Sequence, residues 1–321
     1  MNPDVVAAIA RLRSEHVLSS EQAARFNRVA RRHLVSVRVE VRALLYVGVL
    51  LLTSGVGLFV VEHHKDIGRW AIATSLAFAA VACLVWVARS APPFAWSEVE
   101  SPSVAFDYIL LLSLLLVASD LAYVEAQFTV LGPRWVHHLL VVGIVYVLAA
   151  YRWDSRVVLG LALGTLAAWR GVSVSLLADS LGTRDADALR ANAVVFGVLY
   201  VVAAFLSARL DRKAHFEEVF GNAGLLLLLG GLASGVMSER DRELWLVALL
   251  VVAGAVIWIS FRFGRSMYFA EGVLAAYVGL VRLVFAPFAY AMTGTPLLLA
   301  ALLGVAALAL VFVAHKRMSA P

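Results

Sequence analysis

From residue 43 to residue 314 the chain is a succession of long apolar runs separated by short polar stretches. Each run is close to the roughly 20 residues a helix needs to cross a hydrocarbon core about 30 Å thick. The runs are continuously apolar and do not alternate, which predicts helices over strands. Ten spans are read, at about 43–61, 71–88, 106–126, 135–151, 157–177, 191–208, 220–237, 244–261, 268–290 and 296–314. The connections are short, so neighbouring helices are expected to form antiparallel hairpins.

Composition agrees with the pattern. The 321 residues are 62% hydrophobic and 15% charged, against roughly 25% charged and 45–50% apolar in soluble domains. Backbone groups in lipid must be paired within the protein, which leaves helices or a closed barrel, and the run lengths select helices. The single Cys83 lies in the second span and is expected to pack as a small hydrophobe. Some forty polar and amphipathic residues precede the first span, so no cleavable signal peptide is expected.

Charge placement sets an orientation through the excess of Lys and Arg on the cytoplasmic side. With the N-terminus inside, the inner segments hold Arg38, Arg42, Arg89, Arg152, Arg156, Arg209, Arg212, Lys213, Arg262, Arg265, Lys316 and Arg317. The outer loops hold Lys65, Arg69, Arg134, Arg184, Arg190, Arg240 and Arg242, mostly among acids. Both termini are therefore expected inside, and the formal charge of +5 is a topology signal with no nucleic-acid partner implied. Trp70, Trp96, Trp135, Trp153 and Trp245 fall near span ends, as an interfacial belt requires.

Residues 1–42 read as a cytoplasmic amphipathic helical hairpin, with residues 43–321 as the transmembrane bundle. Ser19-Ser20-Glu21-Gln22 matches a capping box, and Ala23, Phe26, Val29, Ala30, Leu34 and Val37 then repeat at helical spacing. The hairpin either docks a cytoplasmic protein partner or anionic lipid, or anchors topology through its arginines.

Several motifs carry a resemblance. They are Leu18-Ser19-Ser20-Glu21-Gln22-Ala23, Leu45-Tyr46-Val47-Gly48-Val49-Leu50-Leu51, Gly55-Val56-Gly57 and Ile67-Gly68-Arg69-Trp70. Ala126-Gln127-Phe128-Thr129-Val130-Leu131-Gly132 and Tyr151-Arg152-Trp153-Asp154-Ser155-Arg156 continue the series. Over roughly residues 15–175 the chain resembles a bacterial multi-pass "predicted membrane protein" family catalogued only as a domain of unknown function. The resemblance implies multi-pass helices with an N-terminal cytoplasmic segment, and it implies no activity. Thr129 stands where members of that family often have a polar aromatic residue or His.

An internal repeat is also readable. Trp135 matches Trp245, and Tyr151-Arg152-Trp153 matches Phe261-Arg262-Phe263, at one offset. With a two-residue gap, Gly164 to Trp169 then matches Gly272 to Tyr277. These hairpins have one orientation, which favours parallel repeats of about four spans; chance likeness of Leu/Ala/Gly-rich helices is the competing reading. Internal repeats are common in transporters.

Ionisable residues within spans carry the functional expectation. Asp120 and Arg170 each lie 13 positions into their spans, or about 20 Å up, and Arg282 lies at about 22 Å. Glu125 is about 7 Å above Asp120. A charge deep in a span costs at least ~2.5–3.5 kcal/mol unless it is paired or hydrated. Ser113, Asp120, Tyr123 and Gln127 share one face of the third span. Three readings fit: a ligand pocket formed by Asp120, Tyr123, Glu125, Gln127, Arg170 and Arg282; structural pairing of the acids with the arginines; and snorkelling to the interface.

Weaker signals add little. Glu62-His63-His64 and His137-His138 lie on the outer side, but neighbours on a helix diverge by about 100°, so no metal site is expected. Gly160-x-x-x-Gly164 and Gly231-x-x-x-Gly235 predict close helix packing. No phosphate loop, catalytic triad, CxxC or dinucleotide fingerprint occurs, so no cofactor is expected and an enzyme is disfavoured. The sequence therefore predicts an all-α, multi-pass protein of the cell (inner) membrane, with membrane lipid as its partner. Its leading function is transport or sensing of a small anionic or zwitterionic solute. The alternatives are a scaffold or assembly factor recruiting a partner through residues 1–42, and a lipid-directed enzyme using the outer acids and histidines.

Overall fold

The computed structural model describes residues 11–15, 17–23, 26, 44–51, 53–55, 57–58, 62, 68–180, 185–238, 241–285 and 294–318. It falls into two compact units, Met1–Asp66 and Ile67–Pro321. All regular structure among the described residues is helical.

In the first unit the capping box forms as expected. The Ser19 amide donates to Gln22 Oε1 at 2.9 Å, and the Gln22 amide donates to Ser19 Oγ at 3.2 Å. Arg11 pairs with Glu15 one turn on. A short apolar helix occupies Leu44–Gly55. Most of the arginine-bearing second helix expected over residues 23–37 lies outside the described residues.

The second unit holds α1 (Arg69–Ser90), α2 (Val104–Phe128), α3 (His137–Trp153), α4 (Arg156–Ser180), α5 (Asp185–Arg209), α6 (Glu217–Val236), α7 (Arg242–Phe263), α8 (Ser266–Phe285) and α9 (Gly294–Met318). Each coincides with an apolar run read from the sequence, to within a few residues at most ends. Six stretches, in α1, α2, α5, α6, α7 and α8, are long and apolar enough to cross a membrane, whereas α3 is a shorter apolar helix. The helices begin and end for local reasons. Ser103 Oγ accepts the Phe106 amide at the start of α2. Thr129, Asp154 and Gly264 close α2, α3 and α7 in the left-handed conformation, each donating its N–H to a carbonyl of the last turn. Arg89, Arg152, Arg209 and Arg262 stand in the last turns of α1, α3, α5 and α7, where the helix dipole favours cations.

The helices pack as consecutive hairpins. α1 packs on α2, α3 on α4, α5 on α6 and α7 on α8, with α6 also reaching α4, α7 and α8. The most extensive pairing, α5 with α6, depends on missing side chains. A Cβ on Gly197 would stand 2.5 Å from the Leu228 amide nitrogen, and one on Gly224 would stand 2.8 Å from that of Val201. Gly231 and Gly235 meet Val194 and Trp245 as close-packing residues should. Gly160 and Gly164 do not: each would place a Cβ in open space, so their spacing marks no interface among the described residues.

Two buried tyrosines tie helices together by donating to free lone pairs of helix carbonyls. Tyr146 on α3 donates to the Leu114 carbonyl at 3.1 Å, and Tyr200 on α5 to the Leu163 carbonyl at 3.0 Å. Around them Phe106, Leu110, Leu114, Leu159 and Phe216 form the main apolar cluster. The outward faces are also apolar: Phe78, Leu148, Trp258 and Leu308 are each more than 60% exposed. Faces this large and this apolar suit lipid, not water.

Candidate functional site

Two polar centres stand out, at opposite ends of the helices. The first lies where α1, α3, α5 and α7 finish. Asp154, in the one-residue left-handed corner between α3 and α4, has a side chain only 4% exposed. Its carboxylate accepts the Val99 amide at 2.5 Å, faces Lys213 Nζ at 3.1 Å and meets His215 Nε2 at 2.5 Å. Lys213 is also held through its backbone, since its N–H donates to the Trp96 carbonyl at 2.8 Å and Ser207 Oγ donates to its carbonyl. The Lys213 ammonium stands over the Phe94 ring. Nearby, Arg156 pairs with Glu98 and approaches Glu218, and Arg265 pairs with Glu217 at 2.6 Å. The α1–α2 loop, the α3–α4 corner and the α5–α6 turn are thus locked together. Only a very small cavity remains there, beside Asp154 and Lys213. Asp154, Lys213 and His215 satisfy one another here, while Trp153 Nε1 beside them is buried without a partner among the described residues, and the role of the trio is structural.

Sequence reasoning passed over this lock. In the sequence Lys213 is one topology charge among twelve, and Asp154 one letter of a family motif. The available signal was a polar Asp between two apolar helices with no room for a loop, a position that favours a left-handed Asp or Asn. Its partners lie about sixty positions away in the chain, beyond any local rule.

The second lies toward the far ends of the helices, where the residues expected to form a pocket are spread over α2, α4 and α8 without extensive packing of α2 on α8. Asp120 and Tyr123, on the inward face of α2, each bury a side-chain oxygen that has no hydrogen-bond partner among the described residues. On α8, Arg282 Nε is buried and unpartnered in the same way, as is Trp169 Nε1 on α4 beside Arg170; Glu271 Oε2 is unpartnered too, but near the start of α8, at the Asp154 end. Arg170 and Gln127 are half-buried. Ser113, the fourth member of the stripe on α2, spends its hydroxyl on the Leu110 carbonyl of its own helix. No salt bridge joins Asp120 or Glu125 to Arg170 or Arg282 among the described residues. α2 packs chiefly on α1 and α3, whereas α8 packs on α6, α7 and α9.

Glu125 is treated differently. It is 8% exposed, and Oε2 accepts the Leu131 amide at 2.8 Å, which pins the turn after α2. Together with Ala122, Ala126, Thr129, Gly132, Trp135 and His138 it lines a cavity of about 360 Å³. Trp135 stacks on His138, and His138 Nδ1 lies 2.5 Å from the Trp135 carbonyl. A carbonyl can only accept, so Nδ1 is the donor in this contact. His137 instead meets Trp169 of α4 edge to face. The described residues contain no cluster of three or more metal-ligating side chains, and His63 and His64 lie outside them.

A third polar group sits at the same end as the second. Arg190 of α5 is 7% exposed, pairs with Asp187 at 2.6 Å and stands over the Trp245 ring. With Asp241 they line a cavity of about 190 Å³. This arginine was read from the sequence only as an outer-loop charge.

Long apolar helices with lipid-type outer faces define an all-helical, multi-pass membrane protein. Residues 10–159, just under half of the chain, match the model of the family described as "Predicted membrane protein (DUF2157)". The family of unknown function resembled by the sequence is this one, and the matched segment ends just beyond the Asp154 corner. No curated protein and no solved structure matches the chain.

Proposed function

We propose that the protein transports or senses a small anionic or zwitterionic solute through the polar interior around Asp120, Tyr123, Arg170 and Arg282. The observation that carries this reading is the set of unpartnered polar atoms on α2 and α8. In a bilayer an unsatisfied polar group costs several kcal/mol, of order 2–7. Polar groups retained under that cost are normally completed by water or a ligand, and ionisable residues in spans mark solute pathways. Trp169 and Arg170 on α4 would add a donor and a charge to the same path.

The reading carries a topology. The chain has ten spans with both termini in the cytoplasm of a cell membrane, so the Asp154 lock faces inward and the Glu125 cavity outward. A parallel repeat would place α3–α4 and α7–α8 in equivalent positions. Its support is conformational: Asp154 and Gly264, 110 positions apart, both turn in the left-handed region, and the next amides, of Ser155 and Arg265, donate to Ala150 and Ser260. The alternative scaffold reading would be carried by residues 1–42, most of which lie outside the described residues.

The test is a solute screen by thermal shift and vesicle uptake on wild type, Asp120→Asn and Arg282→Ala. The expected result is a solute that raises the wild-type midpoint, with both variants folded and unresponsive. Solute effects of equal size in all three proteins would overturn the reading.

A further inference from the structure

We infer that the cavity at the end of α2, lined by Glu125, Trp135 and His138, binds an ammonium group. This deepens the solute-binding reading above and rests on it for the outward placement of the cavity. The lining contains one carboxylate, one indole face, a hydroxyl at Thr129 and the imidazole of His138, and it contains no Lys or Arg side chain. Glu125 and the indole face of Trp135 favour a cation, and Arg69, held over Phe128, lies outside the lining. A ligand carboxylate or phosphate entering here would meet Glu125 with no countercharge.

Glu125 is suited to the task by its surroundings. Its Oε2 is fixed by the Leu131 amide, so the carboxylate cannot swing out to water and is presented in one orientation. Burial to 8% exposure removes much of the water that would otherwise screen it, which strengthens attraction to an incoming cation. Trp135 is 43% exposed and lines the cavity mouth, where an indole face attracts quaternary or primary ammonium groups. The volume of about 360 Å³ matches a small headgroup and exceeds what a bare metal ion needs.

The shared chemistry, an ammonium on a small polar body, has two sources: a free amine or zwitterion in the outer medium, and an ethanolamine or choline lipid headgroup. The experiment separates them. The full chain is placed in nanodiscs of phosphatidylglycerol alone, or of phosphatidylglycerol with phosphatidylethanolamine. Choline and ethanolamine are titrated by calorimetry, with 3,3-dimethylbutan-1-ol as the uncharged isostere of choline. The variants are Glu125→Gln, whose amide oxygen still accepts from Leu131, and Trp135→Leu, at a partly exposed position.

Choline should bind wild type in phosphatidylglycerol, and the neutral isostere should bind at least tenfold more weakly. Glu125→Gln should weaken choline tenfold or more, and Trp135→Leu several-fold, with thermal midpoints near wild type. Choline binding that persists with phosphatidylethanolamine present assigns the site to a free solute, and binding lost there assigns it to the headgroup. Equal binding of choline and its isostere, an unaltered affinity in Glu125→Gln, or no binding in either membrane overturns the proposal. The two readings fail separately. A solute response that depends on Asp120 while choline does not bind removes the ammonium site alone. Choline binding with no such response removes the transport reading alone.

Discussion

At the end of the bundle where α3 turns into α4, the Asp154 carboxylate meets an amide, an ammonium and an imidazole, and almost no space is left around it. At the other end Asp120 buries an oxygen that meets nothing, and Glu125 looks into a cavity of about 360 Å³. Asp120 lies within an apolar run and Asp154 between two of them, and neither position says in the sequence whether its carboxylate is engaged. What separates them is satisfaction. A carboxylate engaged through both oxygens holds the fold together, and one left open is available to something that is not part of the chain.

The strongest way to break this contrast is to open the locked end. Asp154→Ala strands a lysine that is 1% exposed, and removing one partner of a buried pair costs about 3–5 kcal/mol. Thermal unfolding in detergent should show the largest loss of any substitution named here. The double variant Asp154→Asn, Lys213→Met should recover much of it, because Asn suits the left-handed corner and can still accept from Val99, and no buried Asp–Lys charge pair remains. If the single variant unfolds like wild type, the lock is not structural.

The next effect comes from packing between α5 and α6. Gly197→Ala puts a methyl group 2.5 Å from the Leu228 amide nitrogen, where backbone must move, and overpacking of this kind costs about 1–3 kcal/mol. A reduced midpoint with unaltered solute response is expected. At the open end the sign reverses. Asp120→Leu removes a buried oxygen that has no partner, so the protein should gain about 1 kcal/mol while losing its response to solute. A marked loss of stability would show that Asp120 is as structural as Asp154. The smallest change is expected at Gly160→Ala, where the new methyl meets nothing and helix propensity improves by about 0.5–1 kcal/mol.

Much of the fold was legible because bilayer thickness fixes helix length. The runs read at 71–88 and 244–261 became Arg69–Ser90 and Arg242–Phe263 with little adjustment. The capping box at Ser19–Gln22 was legible because its partners lie three residues apart. Glycine spacing was a weaker guide. Gly160 and Gly164 have the spacing of a packing motif yet meet nothing among the described residues, Gly231 and Gly235 have it and do pack closely, and Gly197 and Gly224, which belong to no such pair, come closest to a neighbouring backbone. Which face of a helix meets a neighbour depends on rotation about its axis, and an all-apolar helix carries almost no record of that rotation. Matched depth placed Asp120, Arg170 and Arg282 at one level, but level alone does not bring helices side by side. The lock was missed for the same reason, since Asp154 finds Lys213 and His215 only after three hairpins have assembled.

That assembly has an order. Val99, Asp154 and Lys213 leave the ribosome in sequence, so the carboxylate at the α3–α4 corner waits through the synthesis of two further helical segments before its ammonium arrives. During that interval the matched segment, residues 10–159, holds an acid without its base. A nascent chain stopped before residue 213 should be recognised as unfinished by membrane quality control, and one carrying α5 and the following turn should escape. The corner at Asp154 would then report during biogenesis that the third hairpin is in place.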